Sequence, residues 1–239
     1  ISNEAKYVQA KVVVNATGPW VDNFLKNHSK QTKVDNVRLV KGSHIVVKKL
    51  FNHSYAYIFQ NSDGRIFFAV PWENKFTFIG TTDVDFKDNL DSFSISDDEI
   101  NYLCKSANQY FRSGISSNDV IKHWSGVRPL YHDGSIKAQK ASRDYTIKID
   151  SQDNNSALIN IFGGKMTTFR QLSEEVTNKV GSILGEKKSP WTSDVHLPGG
   201  DFSLTEKTKI VDGLAKKYDY LDVDYIQRLF NLYGTRVEY

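Results

Sequence analysis

Apolar residues fall in short β-branched runs over most of the chain and at helical spacing in a few segments, so the pattern predicts strands interrupted and followed by helices. Lys11–Asn15 reads as a short buried strand, and Ala16-Thr17-Gly18-Pro19-Trp20 turns it into a helix that continues to Lys26, with Pro19 suited to the first helical position. A strand passing tightly into a helix is half of a nucleotide-binding βα unit. From Val37 to Asp85 the period is two, with strands at Leu39–Val47, Tyr55–Gln60, Arg65–Val70 and Lys75–Thr82, and turns at Asn61-Ser62-Asp63-Gly64 and Glu73-Asn74. Such short connections favour antiparallel pairing. A helix opens at Ser96, where Glu99 completes a capping box, and Ile100, Leu103, Cys104, Ala107 and Phe111 share one face. His123–Tyr131, Asp144–Ile149 and Ala157–Phe162 read as further strands. A helix from Thr168 to Leu184 follows, with Phe169, Leu172, Val176, Val180 and Ile183 as its buried stripe. Leu197-Pro198-Gly199-Gly200 breaks the chain before two last helices, one opening at Ser203 with Glu206 and one from Asp222 to Tyr233, stopped by Gly234. The fold class is α+β, with a predominantly antiparallel sheet, flanking helices and a helical C-terminal extension.

Composition narrows this little. The chain has 239 residues, 39% hydrophobic and 13% aromatic, enough for a real core and against disorder. A net charge of +3 is too small to argue for nucleic acid, though it suits a phosphorylated ligand. The single cysteine, Cys104, allows neither a disulfide framework nor a CxxC metal site and points to a reducing, cytoplasmic setting. No apolar run approaches the roughly 18 residues that would span a bilayer. The only methionine is Met166, so the sequence is expected to be an internal piece of a longer protein.

Candidate chemistry is concentrated in a few places. The run Ala157–Phe162 passes through Gly163-Gly164-Lys165-Met166-Thr167 into a helix; glycines let a ligand approach the backbone, and the free amides of a helix start point at it. The alternative is an ordinary turn with a solvated lysine. Arg128 sits among Gly126, Val127, Pro129 and Leu130, where a guanidinium needs a partner: a bidentate phosphate or carboxylate ligand, or an internal salt bridge. Arg143, beside Asp144, is a second anion candidate that could equally be a surface feature. His44, after Lys41-Gly42-Ser43, reads from the residues alone as a core histidine satisfied by a backbone carbonyl. The remaining histidines show no ligand spacing, and no metal site is expected.

Taken in order, Val13-Val14-Asn15-Ala16-Thr17-Gly18-Pro19-Trp20-Val21, Arg38–His44, Ile79-Gly80-Thr81-Thr82-Asp83, Ser125–Leu130, Arg143-Asp144-Tyr145, Phe162–Thr168 and Leu197–Gly200 resemble the FAD-dependent glycerol-3-phosphate dehydrogenases, within the superfamily of D-amino-acid and glycine oxidases. The KGSH, SGVRPL and FGGK-x-TT segments carry most of this; the ATG turn is common to the superfamily. One departure stands out: the family begins with a G-x-G-x-x-G turn that holds the FAD pyrophosphate, and no such spacing occurs here. The chain therefore looks like the central and C-terminal part of the enzyme and should bind FAD poorly unless the missing unit is supplied.

The resemblance implies a partial FAD-binding unit over 1–36, a substrate-binding sheet domain over 37–143, a return to the FAD-binding domain over 144–196, and the start of a helical domain over 197–239. It places Ala16, Thr17 and Gly18 by the adenosine of FAD, and Gly163, Gly164, Lys165, Met166 and Thr167 by the flavin ring. Arg128, with Arg143, would hold the phosphate of sn-glycerol 3-phosphate; His44 would be the base; Lys165 would reach substrate or steady the reduced flavin. Electrons would pass to a quinone, with peripheral contact on the cytoplasmic face of the inner membrane, and a homodimer is compatible. Thr81, Thr82 and Asp83 lie near the pocket without a role. The aromatics Phe67, Phe68, Trp72, Phe76 and Phe78 are expected to pack within the sheet. Two other readings remain open at this point: an oxidase in which oxygen reoxidises the flavin, and a catalytically silent domain without FAD.

Overall fold

The computed structural model describes residues 7–28, 35–132, 143–152, 156–186 and 188–239. The chain divides into two compact units, residues 1–187 and 188–239.

The first unit holds two sheets. The smaller has the order β1 (Val12–Asn15), β9 (Ser156–Phe162), β8 (Thr146–Gln152), with β1 parallel to β9 and β8 antiparallel to it. After β1 the chain turns through a short 3-10 segment, Gly18–Trp20, with Pro19 in its first turn, into α1 (Val21–His28); after β9 it turns into α3 (Phe169–Leu184). Two strand-to-helix passages thus leave the same end of a parallel pair. The larger sheet has the order β3 (Tyr57–Gln60), β4 (Ile66–Trp72), β5 (Phe76–Gly80), β2 (Val37–Lys48), β6 (Val84–Asp85), and β7 (Lys122–Tyr131) runs along β2; all pairs are antiparallel. At the β3–β4 turn Gly64 takes φ 81°, while Glu73 and Asn74 both adopt left-handed conformations at the β4–β5 turn.

Alternation along the long strand β2 divides the chemistry. Ile45 and Val47 face α2 (Asp97–Asn108) and, with Phe67, Ala69, Ile79, Leu103, Cys104 and Ala107, form the main core. Each large side chain buried there stabilises by about 1.5–3 kcal/mol. Ser96 caps α2 by accepting from the Glu99 amide, and Glu99 accepts from the Ser96 amide in return, as the sequence predicts. Burial raises the Cys104 thiol's pKa, in keeping with a core side chain. The opposite face carries His44, Gly42 and Val40, and on it Val40 packs with Leu130 in a small buried cluster.

Three sequence expectations are corrected. β1 is not a buried strand: Val13 and Val14 are 43% and 40% exposed and only Asn15 is buried, because the described residues pair β1 on one side alone. The predicted stripe on α3 reduces to Val176; Phe169 and Ile183 are exposed. The described residues place too little against α3 to cover the rest of the stripe. The sheet aromatics divide by face, with Phe67 fully buried while Phe68 and Trp72 are exposed on the other side.

In the second unit α4 (Lys207–Lys217) packs on α5 (Val223–Tyr233) through Val211, Leu214, Ile226 and Phe230. Asp222 caps α5 by accepting from the Asp224 and Tyr225 amides. Gly199 and Gly234, both at positive φ, let two backbone segments touch, and Thr235 N–H donates to the Gly199 carbonyl at 3.1 Å.

Candidate active site

The face of the large sheet opposite α2 brings Arg128 and His44 together. In the β2–β7 ladder Val40 pairs with Arg128, Gly42 with Gly126 and His44 with Trp124, and in the β2–β5 ladder His44 pairs with Gly80. Directly paired residues share a face, so Arg128 and His44 stand on one surface with glycines between them. A methyl group on Gly42 would collide with the Arg128 guanidinium, and one on Gly80 with the His44 ring. Both side chains lie down across a neighbouring glycine, and at Gly126 the space above the backbone is open.

Arg128 donates from Nη1 to Asp83 Oδ1 at 3.0 Å and from Nη2 to Thr81 Oγ1 at 2.9 Å. Arg143 reaches the same Asp83 oxygen at 3.4 Å. The internal salt bridge that the sequence allowed is therefore made: two guanidinium groups share one carboxylate, which leaves a net positive charge. Burial lowers the Arg128 pKa, Asp83 pushes it back up and the Arg143 charge lowers it again, yet a guanidinium remains charged throughout.

His44 is not satisfied by a backbone carbonyl. Its Nδ1 is buried with no hydrogen-bond partner among the described residues. The ring stacks on Phe78 at a centroid distance of 4.6 Å and on Trp124 at 6.0 Å. Burial first, and the Arg128 charge second, push its pKa down to about 4. The imidazole is neutral near physiological pH and able to take a proton.

Behind this face, Glu99 joins the parts. Its Oε1 accepts from Ser43 Oγ at 2.8 Å and Thr82 Oγ1 at 2.7 Å, and its Oε2 accepts from the Ser96 amide and pairs with Lys41 Nζ at 2.9 Å. Ser43 Oγ also meets Ser125 Oγ across to β7 at 2.8 Å, and the Ser43 amide donates to Thr82 Oγ1 at 2.9 Å. Burial raises the Glu99 pKa, but the Lys41, Ser96, Thr82 and Ser43 donors outweigh it and bring it down to about 2. A cavity of about 370 Å³ lined by Lys41, Arg65, Thr82, Glu99 and Tyr102 lies on this side.

The two glycine turns meet at the ends of the parallel pair. Asn15 pairs with Asn160, and Asn15 Nδ2 donates to Asn160 Oδ1 at 2.9 Å; Thr17 Oγ1 donates to Asn15 Oδ1 at 2.7 Å. Ala16-Thr17-Gly18 and Gly163–Thr167 therefore leave the carboxyl ends of adjacent strands, where open α/β sheets bind their ligands. Gly18 has φ 58° and nothing within 4 Å of where a side chain would start. Gly163 has φ 73° and packs so close to the Asp144 and Pro129 carbonyls that a side chain has no room. That contact ties the turn to the residues following Arg143 and Arg128. Lys165, Met166 and Thr167 are exposed; the Lys165 amide donates to Thr168 Oγ1 at 3.2 Å. The structure thus sets the turn beside both arginine segments, while the Lys165 side chain projects from an exposed position.

Four participants escaped the sequence reading: Asp83 and Thr81 as the arginine anchors, and Gly42 and Gly80 as the clearings. Thr-Thr-Asp directly after a strand glycine was their signal. Among the described residues no cluster of His, Cys, Asp and Glu could hold a metal ion, and no helix is long and apolar enough to cross a membrane.

The sequence model of the FAD dependent oxidoreductases matches residues 2–163, more than half the chain. The chain belongs to that family. Within this oxidoreductase family the chain is 36% identical to a glycerol-3-phosphate dehydrogenase of Pseudomonas aeruginosa, over 96% of this chain and 45% of the relative. It is 37% identical to the aerobic glycerol-3-phosphate dehydrogenase of Escherichia coli, over 96% and 46%. A D-erythritol 1-phosphate dehydrogenase of Brucella abortus is 35% identical over 99% and 47%. Among solved structures, the glycerol-3-phosphate dehydrogenase of Bacillus halodurans complexed with FAD superposes with a TM-score of 0.79 at 34% identity, covering 97% of this chain and 44% of that one. The chain spans about half the length of the curated relatives it matches.

Proposed function

We propose that the enzyme carrying this chain oxidises sn-glycerol 3-phosphate to dihydroxyacetone phosphate with FAD as its oxidant. The observation that carries this reading is the convergence of Arg128 and Arg143 on Asp83 beside a neutral His44 on one sheet face. Relatives named for glycerol 3-phosphate and erythritol 1-phosphate support a phosphorylated polyol as substrate. The residues fit the cofactor: the open side of Gly18 and the tight Gly163 turn form a backbone cradle at the ends of β1 and β9. Ala16, Thr17 and Gly18 would line the adenosine side, and the amides of Gly163, Gly164, Lys165, Met166 and Thr167 the flavin side. No G-x-G-x-x-G is present, so the pyrophosphate must be held by residues other than these. The small sheet with its helices then belongs to the FAD-binding part, the large sheet to the substrate part, and 197–239 to a helical domain.

When bound, FAD supplies the hydride acceptor. The protein's residues do the rest. Arg128 and Arg143 present N–H donors to the phosphate, whose charge balances their excess over Asp83. With Nδ1 enclosed, Nε2 of His44 is the nitrogen that takes the hydroxyl proton as hydride leaves carbon. A base with a pKa near 4 is weak, and burial is the main reason; a phosphate dianion beside Arg128 offsets the smaller, charge-based part of the shift, so substrate raises the basicity of its own base in part. Lys165 adds positive charge at the turn. Quinone, rather than oxygen, as the final acceptor rests on the resemblance; peroxide formation measured against quinone reduction decides it.

Arg128→Ala tests the reading. Loss of a charge-assisted phosphate contact should cost about 2 kcal/mol or more in kcat/KM, roughly thirtyfold. Unchanged kinetics in folded, FAD-containing enzyme would reject it.

A further inference from the structure

We infer that Glu99 and Thr82, from the far side of the large sheet, are positioning residues for the phosphate-binding arginine, an inference that rests on the function proposed above. Thr82 lies between Thr81 and Asp83, the two residues that anchor Arg128. Thr82 turns to Glu99 while Thr81 and Asp83 turn to the guanidinium, so the Glu99–Thr82 bond sets the height and register of both anchors. The same carboxylate fixes Ser43, next to His44, and through Ser125 fixes β7 three residues before Arg128.

The hub holds its place. Glu99 is buried, and its two oxygens are taken up by the hydroxyls of Ser43, Thr82 and Ser96, the Ser96 amide and the Lys41 ammonium. Thr82 is equally buried, with its hydroxyl donating to Glu99 and accepting from the Ser43 amide. Among the described residues neither side chain is hydrogen-bonded to Arg128 or His44, so each acts through the backbone it fixes. A capping box alone accounts for Ser96 and one carboxylate oxygen; it leaves the bonds to Thr82, Ser43 and Lys41 without a reason.

The test uses the FAD-loaded enzyme carrying this chain, with inorganic phosphate as a competing ligand. Thr82→Val keeps the shape and removes the hydroxyl; it should raise KM for glycerol 3-phosphate and the inhibition constant of phosphate together, by about tenfold, with kcat within about twofold. Thr82→Ser should restore both. Glu99→Gln reads the other end of the same bond and serves should Thr82→Val not fold. A merely structural role would lower the melting temperature and leave KM and the phosphate constant unmoved, which overturns the inference. Arg128→Ala run alongside separates the two readings. If it raises both constants and the Thr82 and Glu99 variants do not, positioning fails; if it leaves both unmoved, the phosphate role of Arg128 fails first.

Discussion

Gly42→Ala is the most direct probe of how this surface is built. Gly42 sits in mid-strand without a positive φ, so alanine meets no backbone strain; the nearest obstacle is the Arg128 guanidinium lying across it. Ordinary contacts need about 3.5 Å, so the guanidinium must withdraw by on the order of 1 Å. That stretches the bonds to Asp83 and Thr81, now 3.0 and 2.9 Å, past the limit of a hydrogen bond. The half-exposed setting keeps the stability loss small, about 1 kcal/mol. The catalytic loss should be larger, because the phosphate meets a displaced donor: about 2 kcal/mol in kcat/KM, near thirtyfold. Steady-state kinetics with a dye acceptor on Gly42→Ala, Arg128→Ala and the double variant give a complete cycle. If Gly42 matters only by leaving room for Arg128, the double variant matches Arg128→Ala alone. Losses that simply add, to within about 0.5 kcal/mol, would refute the reasoning.

Other expectations follow from the same geometry. The acid limb of kcat/KM, which reports free enzyme, should lie near the His44 pKa of about 4, and that of kcat, which reports the complex, at higher pH; coincident limbs would contradict substrate-raised basicity. The unfolded His44 ring binds a proton near 6.5 and the folded ring only near 4, so the unfolded state holds more protons between these values and stability should fall as pH drops from 6.5 towards 4. Urea titrations of wild type and His44→Asn should show that slope only in the wild type. Glu99, held low, contributes stability that is present above about 4.5 and lost as pH falls towards 2, a window that Glu99→Gln should remove. Gly234→Ala should destabilise the second unit by about 2 kcal/mol or more, read by thermal melts, since it needs left-handed backbone and collides with the Gly199 carbonyl.

The strands, the hairpin turns, the α2 face and both glycine turns were legible because each is a local pattern: alternation, positive-φ residues, or a cap. Arg128 stood out because a guanidinium in an apolar run needs a partner, whereas His44 was singled out only by the family resemblance. What stayed hidden depends on which strands become neighbours. Gly42 reads as an ordinary strand glycine until β7 places Arg128 across it, and Gly80 until β2 places His44 there. Glu99 has a sufficient local explanation as a capping residue, which concealed its reach to Thr82 and Ser43. The exposure of β1 and α3 went unread for a related reason: an apolar pattern says that a face can be covered, and what packs beside it decides how much is.

The pairing of Asn15 with Asn160 joins residues 145 positions apart, with the whole larger sheet between them. Closing so long a loop is entropically costly and slow, whereas the hairpins inside it need only nearest neighbours. The order of assembly is then set by topology: the intervening sheet gathers first, and β1 finds β9 late. A folding chain would therefore lay down the sheet face that carries Arg128 and His44 before its two glycine turns come side by side.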